Sequence, residues 1–144
     1  LRSYFEKNNF NISMYNGYDI SKDMLDKARE LSGNSSRVNF VKHSELHTKA
    51  DYSFISGIFN VKFDSNDDMW EEFIKNTLVN VNENSIKGFA FNSLTSYVDY
   101  KESHLYYADP MYFFDFCKKN FSKKVSLLHD YDLWEWTIIV KKDL

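Results

Sequence analysis

The most informative stretch of this chain is Tyr18-Asp19-Ile20-Ser21-Lys22-Asp23-Met24-Leu25-Asp26-Lys27-Ala28-Arg29. The apolar segment before it, residues 12–18, is predicted to be a β-strand that leaves Asp19 at its carboxyl end. Ser21 is a good N-cap for the helix that follows, and Gly33 supplies its stop. A carboxylate in this position is typical of α/β nucleotide sites, where it accepts the ribose hydroxyls. The alternative is that Asp19 only helps to make the strand-to-helix turn.

The helix after Ser21 is predicted to be amphipathic. Its apolar positions recur at helical spacing and indicate one buried stripe, with Ile20 packed onto the first turn as a hydrophobic staple. The stripe consists of Met24, Leu25, Ala28 and Leu31.

Composition limits the class of protein. With 144 residues and 43% apolar content, the chain is long enough for one domain, which we assign to residues 1–144. The net charge is −3 and the lysines are spread along the chain, so nucleic acid is not expected as a partner. The only cysteine is Cys117, and no apolar run has the length of a membrane span. These features predict a cytoplasmic protein in a reducing compartment, with no membrane partner.

The rest of the chain alternates between predicted strands and helices. Strands are expected at residues 37–42, 52–61 and 86–94, and the apolar run at 52–61 is typical of a central parallel strand covered on both faces. Helices are expected after the caps at residues 65–67 and at Asp109-Pro110. The last two runs, residues 125–128 and 133–140, predict an antiparallel hairpin.

This order of elements resembles the carboxyl-terminal two-thirds of a class I, Rossmann-like S-adenosylmethionine-dependent methyltransferase. The resemblance rests on Tyr18-Asp19-Ile20-Ser21 after the first visible strand, on the strand and helix alternation, and on the terminal hairpin. It implies an α/β, three-layer sandwich with a mostly parallel sheet, and S-adenosylmethionine as the cofactor.

The resemblance also implies roles for particular residues. Asp19 and Ile20 would contact the ribose side of the cofactor, and Ser44 stands where the family usually has an acid that contacts adenine. In the family this strand begins near an acid, which matches Asp51, and the end of the 52–61 run would lie beside the methyl donor and acceptor. At that end, Ser56, Gly57 and Ile58 would bind the cofactor, and Phe59 and Asn60 the acceptor.

The family's glycine-rich turn, Gly-x-Gly-x-Gly, is absent from these 144 residues. The resemblance implies that the first strand and this turn lie upstream of Leu1, where Tyr4 and Phe5 are typical of a helix already under way. On this interpretation the chain is truncated, binds S-adenosylmethionine weakly and is itself inactive. A missing central strand would leave unpaired edges that favour self-association.

The tyrosine-rich connection, residues 95–109, is the candidate acceptor site. Tyr97, Tyr106 and Tyr107 could line it, and His104 is the candidate general base if one is needed. The alternative is that the tyrosines only cover a sheet edge. His43 and His47 are four residues apart, but no third ligand lies nearby, so no metal site is predicted.

The predicted function is methyl transfer to an oxygen or nitrogen of a small-molecule acceptor. Two other classes stay open. A nucleotide-binding oxidoreductase could use the same Asp19 contact, although a terminal antiparallel hairpin is less expected there. A catalytically silent binding or scaffold domain would show the same pattern, and Ser44 in place of an acid favours it.

Overall fold

The computed structural model describes residues 2–33 and 35–143. Ten elements follow one another along the chain. They are α1 (Arg2–Lys7), β1 (Tyr15–Asp19), α2 (Lys22–Ser32), β2 (Val38–Lys42), β3 (Ala50–Ile55), α3 (Asp67–Asn84), β4 (Ser85–Leu94), α4 (Pro110–Asn120), β5 (Lys124–Leu128) and β6 (Glu135–Lys141). The α/β class and the terminal antiparallel hairpin are confirmed, and the described strands form two parallel and two antiparallel pairs. Leu1 lies outside the described residues.

The chain divides into two compact units, residues 1–46 and residues 47–144. That the two together form one domain stays a prediction. The first unit contains α1 and a two-stranded parallel sheet in which Tyr15 pairs with Val38 and Asp19 with Lys42. Helix α2 begins where predicted, because the Ser21 hydroxyl accepts the Met24 N–H at 3.3 Å, and it ends at Gly33, whose φ is 61°.

The second unit is built on a four-stranded sheet in the order β3-β4-β6-β5. Strands β3 and β4 are parallel, whereas β6 is antiparallel to both β4 and β5. The carboxyl ends of β3 and β4 therefore lie at the same sheet edge as the amino end of β6, where Leu94 pairs with Glu135. This edge carries the candidate site of the second unit.

Helices α3 and α4 pack on one face of this sheet. On that face the Phe91 ring contacts Phe59 at 6.0 Å and Trp136 at 5.5 Å between centroids, and Trp136 contacts Phe113 of α4 at 5.9 Å. Phe59 in turn contacts Phe73 of α3. The predicted caps Asn66 and Asp109 are confirmed, since each accepts N–H groups of the helix that it precedes. Phe59, Phe91, Phe113 and Trp136 are thus buried in the core of this unit, whereas Phe73 lies at its margin and is 42% exposed.

Three local predictions were wrong. The first strand begins at Tyr15 and not at residue 12, because its partner strand begins only at Val38. The α2 stripe buries Leu25 alone, and Met24, Leu31 and Ile20 are exposed.

Strand β3 was predicted to be a central strand, but in the described chain it is an edge strand, because β4 is its only paired neighbour. Tyr52 is 58% and Phe54 53% exposed, because α3 and α4 cover the opposite face of the sheet. An apolar run predicts a strand, but burial needs elements that cover it.

Strand β3 is also shorter than the apolar run predicts. It ends at Ile55, and Gly57 then turns the chain with a φ of 76°. No helix in the part of the chain described is long and apolar enough to cross a membrane.

Candidate functional site

The carboxyl edge of the β1-β2 sheet brings together the predicted ribose and adenine residues. Asp19 is the last residue of β1, and Ser44 lies two residues beyond its partner Lys42, the last residue of β2. Because the two strands are parallel, their carboxyl ends lie side by side. Ile20 follows Asp19 directly and exposes 69% of its surface. The first unit thus places Asp19, Ile20 and Ser44 at one edge.

The Asp19 carboxylate makes the strand-to-helix turn and keeps acceptor capacity. Its Oδ1 atom accepts the Ser21 N–H at 2.8 Å. No hydrogen bond to Oδ2 is found among residues 2–33 and 35–143. A carboxylate offers about four lone-pair sites, so this group can still accept two hydroxyl donors. The turn role and the ribose role are therefore compatible.

The loop after β3 forms the edge of the second unit. The Gly57 N–H donates to Asn92 Oδ1 at 3.0 Å, which ties the loop to β4. Ser56, Gly57 and Ile58 are exposed, so a ligand can reach their backbone. Phe59, in contrast, is 0% exposed and its carbonyl accepts the Trp70 indole N–H at 2.9 Å. The structure gives Phe59 a packing role, and we leave it out of the proposed acceptor contacts.

Asn60 lies at the centre of a polar network at this edge. Its Oδ1 accepts the Leu94 N–H at 3.0 Å, and its Nδ2 donates to Glu135 Oε1 at 2.9 Å. Asn92 Nδ2 donates to the other carboxylate oxygen, Glu135 Oε2, at 2.7 Å. We call Asn60, Asn92 and Glu135 the amide-carboxylate network. Sequence reasoning named Asn60 and missed the other two.

A signal for the missed residues was present. Asn92 directly follows the apolar run 89–91, and Glu135 stands between Trp134 and Trp136. What the sequence did not contain was the strand register, which sets Leu94 opposite Glu135 and so brings the two side chains to one edge.

The connection after β4 folds back on the loop after β3. The Tyr106 N–H donates to the Asn60 carbonyl at 2.9 Å, and the Lys62 N–H donates to the His104 carbonyl at 3.0 Å. Tyr106 is therefore brought beside Asn60, while the His104 side chain is exposed. The Tyr107 hydroxyl accepts the Glu102 N–H at 3.0 Å, and the Tyr97 ring contacts His129 at 5.9 Å. The acceptor and base roles of these residues stay predictions.

Two phenols near this connection have raised pKa values. Burial, and secondly the negative charge of Glu71, raises the pKa of Tyr106 far above its usual value. A hydrogen bond to Glu71, from the Tyr112 hydroxyl at 2.6 Å, raises the pKa of Tyr112. Both groups stay protonated near neutral pH. Tyr106 can therefore donate a hydrogen bond, but it cannot act as a general base.

Within residues 2–33 and 35–143, no group of three or more His, Cys, Asp or Glu side chains is arranged to hold a metal ion. The arrangement offers hydrogen-bond acceptors, a loop backbone and aromatic surface. Those are the means by which a site positions small organic molecules.

The chain is similar to a curated methyltransferase over almost its whole length. No family model matches the chain. The Mycobacterium tuberculosis (strain ATCC 25618 / H37Rv) protein named "Putative methyltransferase Rv1506c" is 42% identical over 144 residues, which is 99% of this chain and 86% of that protein. The chain belongs to the methyltransferase family.

Solved structures with SAH or SAM bound share the fold. Magnesium protoporphyrin IX methyltransferase (ChlM) from Synechocystis PCC 6803, with bound SAH, superposes with a TM-score of 0.64 at 11% identity, over 90% of this chain and 64% of that one. The LepI complex with SAM gives a TM-score of 0.60 at 10% identity, over 99% of this chain and 39% of that one. At such identities the likeness shows the Rossmann-like fold alone.

A chain of the Pnkp1/Rnl/Hen1 RNA repair complex also matches, with a TM-score of 0.64 at 15% identity over 98% of this chain. This methyltransferase-family chain spans 35%, 64% and 39% of the length of the RNA repair, ChlM and LepI chains, respectively.

Proposed function

We propose that this methyltransferase-family chain uses S-adenosylmethionine to methylate an oxygen or nitrogen of a small-molecule acceptor. The proposal rests on Asp19. This residue lies at the carboxyl end of β1, and its Oδ2 atom has no hydrogen-bond partner in the described chain. That ChlM and LepI are crystallised with SAH or SAM supports the choice of cofactor.

In this proposal, the residues at the β1-β2 edge would contact the adenosine of the cofactor. Asp19 Oδ2 would accept the ribose hydroxyls, and the exposed Ile20 side chain would pack on the adenine ring. Ser44 would offer a hydroxyl to the base, in place of the family's usual acid. A neutral hydroxyl is a weaker partner than a carboxylate, so we expect Ser44 to contribute less than Asp19.

In the second unit the exposed backbone of Ser56, Gly57 and Ile58 would hold the methyl-donor end of the cofactor. Asn60 would orient the acceptor, since both ends of its amide are fixed by Leu94 and Glu135. The bound cofactor supplies an activated methyl group on a sulfonium centre. For such a transfer the protein mainly has to align the acceptor and exclude water.

A proton is released when a hydroxyl or protonated amine is methylated. His104 is the candidate that accepts it, because its side chain is exposed on the connection that pairs with residues 60–62. Tyr106 is excluded from this role by its raised pKa.

The test is a thermal-shift titration of the gene product in full against S-adenosylmethionine, S-adenosylhomocysteine and NAD. Wild type is compared with Asp19→Asn, which can still accept the Ser21 N–H, and with Asp23→Asn, which removes an exposed acid from the same turn. A ligand at 100 times its dissociation constant stabilises the folded state by about 2.7 kcal/mol. We expect the two adenosyl ligands to raise the melting temperature of wild type and Asp23→Asn.

Asp19→Asn should weaken the adenosyl ligands by about tenfold to a hundredfold, because hydrogen bonds to a charged acceptor contribute about 1.5–3 kcal/mol. Stabilisation by NAD alone would contradict the proposal in favour of an oxidoreductase. No stabilisation by any of the three would favour a silent binding domain.

The 144-residue chain by itself is expected to bind the adenosyl ligands weakly, because it contains no Gly-x-Gly-x-Gly turn. Isothermal titration with S-adenosylhomocysteine checks this expectation. Affinity equal to that of the gene product in full would contradict it.

A further inference from the structure

The amide-carboxylate network fixes which way each of its two amides faces. Glu135 Oε1 accepts a hydrogen bond from Asn60 Nδ2 at 2.9 Å, and Glu135 Oε2 accepts one from Asn92 Nδ2 at 2.7 Å. An ionised carboxylate only accepts hydrogen bonds, so both amides must turn their nitrogen atoms towards Glu135. Their oxygen atoms therefore face the main chain.

Each amide oxygen holds one backbone N–H group. Asn60 Oδ1 accepts the Leu94 N–H at 3.0 Å, and Asn92 Oδ1 accepts the Gly57 N–H at 3.0 Å. The four hydrogen bonds form one chain from Leu94 to Gly57, with Glu135 at its middle. In such a network each bond depends on the orientation of the next group, so a change at Glu135 reaches both ends.

The Gly57 end of this chain lies in an exposed loop. Residues 56–58, which we call the donor loop, follow the end of β3 at Ile55, and all three are exposed. Segments with so little burial open locally at low cost. The bond from the Gly57 N–H ties this loop to Asn92 of β4, and it therefore fixes the loop backbone relative to the sheet.

Asn92 and Glu135 do not belong to the aromatic core. Their chain neighbours Phe91 and Trp136 are at most 1% exposed and contact each other at 5.5 Å between ring centroids on the face that the helices cover. Because consecutive side chains of a strand alternate between faces, Asn92 and Glu135 point to the other face, where they are half-buried. Core packing therefore does not account for them, whereas their hydrogen bonds to the donor loop and to Asn60 do.

We propose that Asn92 and Glu135 are positioning residues for the methyl donor. Asn92 holds the Gly57 N–H, and Glu135 holds the Asn92 amide in the orientation that allows this. The backbone of the donor loop is thereby set before the cofactor binds, so binding does not have to order it. This role rests on the proposed function, because it takes the donor loop as the contact of the methyl-donor end of the cofactor.

Asn92→Asp tests the bond between the two positioning residues. The variant keeps an oxygen for the Gly57 N–H, but its second oxygen replaces the nitrogen that donates to Glu135. At about pH 8 two ionised carboxylates then face and repel each other, so the side chain at position 92 moves away and releases the donor loop. Binding of S-adenosylhomocysteine to the gene product in full is measured by isothermal titration. We expect it to be about tenfold weaker than in wild type, because the loop loses its hydrogen bond.

Adding Glu135→Gln to Asn92→Asp should restore the affinity to within about twofold of wild type. The new amide at position 135 donates to the new carboxylate at position 92 and still accepts the Asn60 Nδ2 group, so all four hydrogen bonds return. Asp132→Asn is the matched control, since it removes the same charge at an exposed side chain three residues away. Added to Asn92→Asp, it should restore nothing. Equal recovery with both partners would mean that only the net charge matters, and it would overturn the positioning role.

Ser85→Ala separates positioning from a purely structural role. It removes a buried hydroxyl at the opposite end of β4, whose oxygen lies 2.7 Å from both the Val81 carbonyl and the Ser53 hydroxyl. We expect it to lower the stability to urea and to leave the affinity of the folded protein for S-adenosylhomocysteine unchanged. Asn92→Asp, in contrast, should also shift the NMR resonance of the Gly57 amide. If Ser85→Ala weakens the ligand as much as Asn92→Asp does, the network is only a structural support and the positioning role fails.

Three titrations on the same proteins separate this role from the proposed function. If S-adenosylhomocysteine binds wild type and Asn92→Asp equally, the positioning role fails and the proposed function stands. If S-adenosylhomocysteine does not bind wild type, the proposed function fails and the positioning role fails with it. If Glu135→Gln alone weakens S-adenosylmethionine but not S-adenosylhomocysteine, Glu135 attracts the sulfonium charge of the cofactor, and this result also overturns the positioning role.

Discussion

The two units differ in how they bury their side chains. In the second unit Phe59, Phe91, Phe113 and Trp136 are at most 1% exposed, and they contact one another in a single aromatic core. In the described part of the first unit, Leu25 is the only hydrophobic side chain that is fully buried. The second unit therefore carries most of the packing energy of the chain, while the first carries the candidate ribose carboxylate.

This difference has a consequence for binding. Units with few buried apolar contacts open locally at low cost, and a ligand that binds such a unit stabilises it in proportion to its affinity. An adenosyl ligand on Asp19 is expected to order the first unit more than the second. Four substitutions or conditions test this difference in packing between the two units.

Trp136→Ala is expected to have the largest effect. Removing a fully buried tryptophan costs about 3–5 kcal/mol, and it leaves the Ala108 carbonyl without the indole N–H that now donates to it at 3.1 Å. Urea unfolding measures the loss. Trp134→Ala is the control, because that ring is exposed, and it should cost less than about 1 kcal/mol. Similar losses in the two variants would contradict an aromatic core centred on Trp136.

Gly88→Ala should cost more than Gly17→Ala, although both sites are tight. A Cβ at Gly88 would overlap the Val140 carbonyl in the neighbouring strand, and backbone cannot move aside without disturbing the sheet. A Cβ at Gly17 would meet the Phe40 ring at 2.7 Å, and that ring can rotate away. We expect a loss of about 1–3 kcal/mol at Gly88 and a smaller one at Gly17, by urea unfolding. The reverse order would show that the first unit is the more rigid of the two.

Raising the pH should destabilise the second unit through Cys117. Burial raises the pKa of this thiol from its ordinary 9.0 to about 12. Between these values the unfolded chain loses the proton and the folded chain keeps it, so stability is full below pH 9 and falls as the pH rises towards 12. The fall is at most about 1.4 kcal/mol per pH unit. Measured between pH 8 and roughly pH 10.5, the stability difference between wild type and Cys117→Ala should shrink; a constant difference would contradict the burial of the thiol.

The helix caps should give the smallest effects. Asp109→Ala removes bonds to the N–H groups of Met111 at 2.8 Å and Tyr112 at 3.4 Å, and is expected to cost about 1 kcal/mol. Ser21→Ala removes one longer bond, at 3.3 Å, and should cost about 0.5 kcal/mol. Asp109→Ser and Ser21→Asp keep a capping side chain, so the stability of each variant should stay close to that of wild type. Thermal unfolding checks both pairs, and an equal or larger loss at Ser21 would argue against the contrast between the units.

Features encoded by neighbouring residues could be predicted from the sequence. The Ser21 and Asp109 caps, the Gly33 stop and the terminal hairpin all depend on chemistry within a few positions, and each was found where expected. Asp19 was found for the same reason, since the end of a strand and the start of a helix meet there. Its role as a ribose ligand stays a prediction.

Features set by distant pairing could not be predicted. The start of β1 depends on Val38 of its partner strand, and the exposure of Tyr52 and Phe54 depends on which elements cover β3. The amide-carboxylate network joins Asn60, Asn92 and Glu135, which are up to 75 residues apart, and only the strand register brings them to one edge. Residue types alone do not contain that register.

Hydrogen exchange at residues 19–22 tests the assignment of Asp19 as the ribose carboxylate most directly. It is measured on the gene product in full, with and without S-adenosylhomocysteine. We predict that the ligand slows exchange of the Ile20, Ser21 and Lys22 amides in wild type and in Asp23→Asn, but not in Asp19→Asn. Unchanged exchange in this turn under saturating ligand would contradict the assignment of Asp19 as the ribose carboxylate and, with it, the proposed cofactor site.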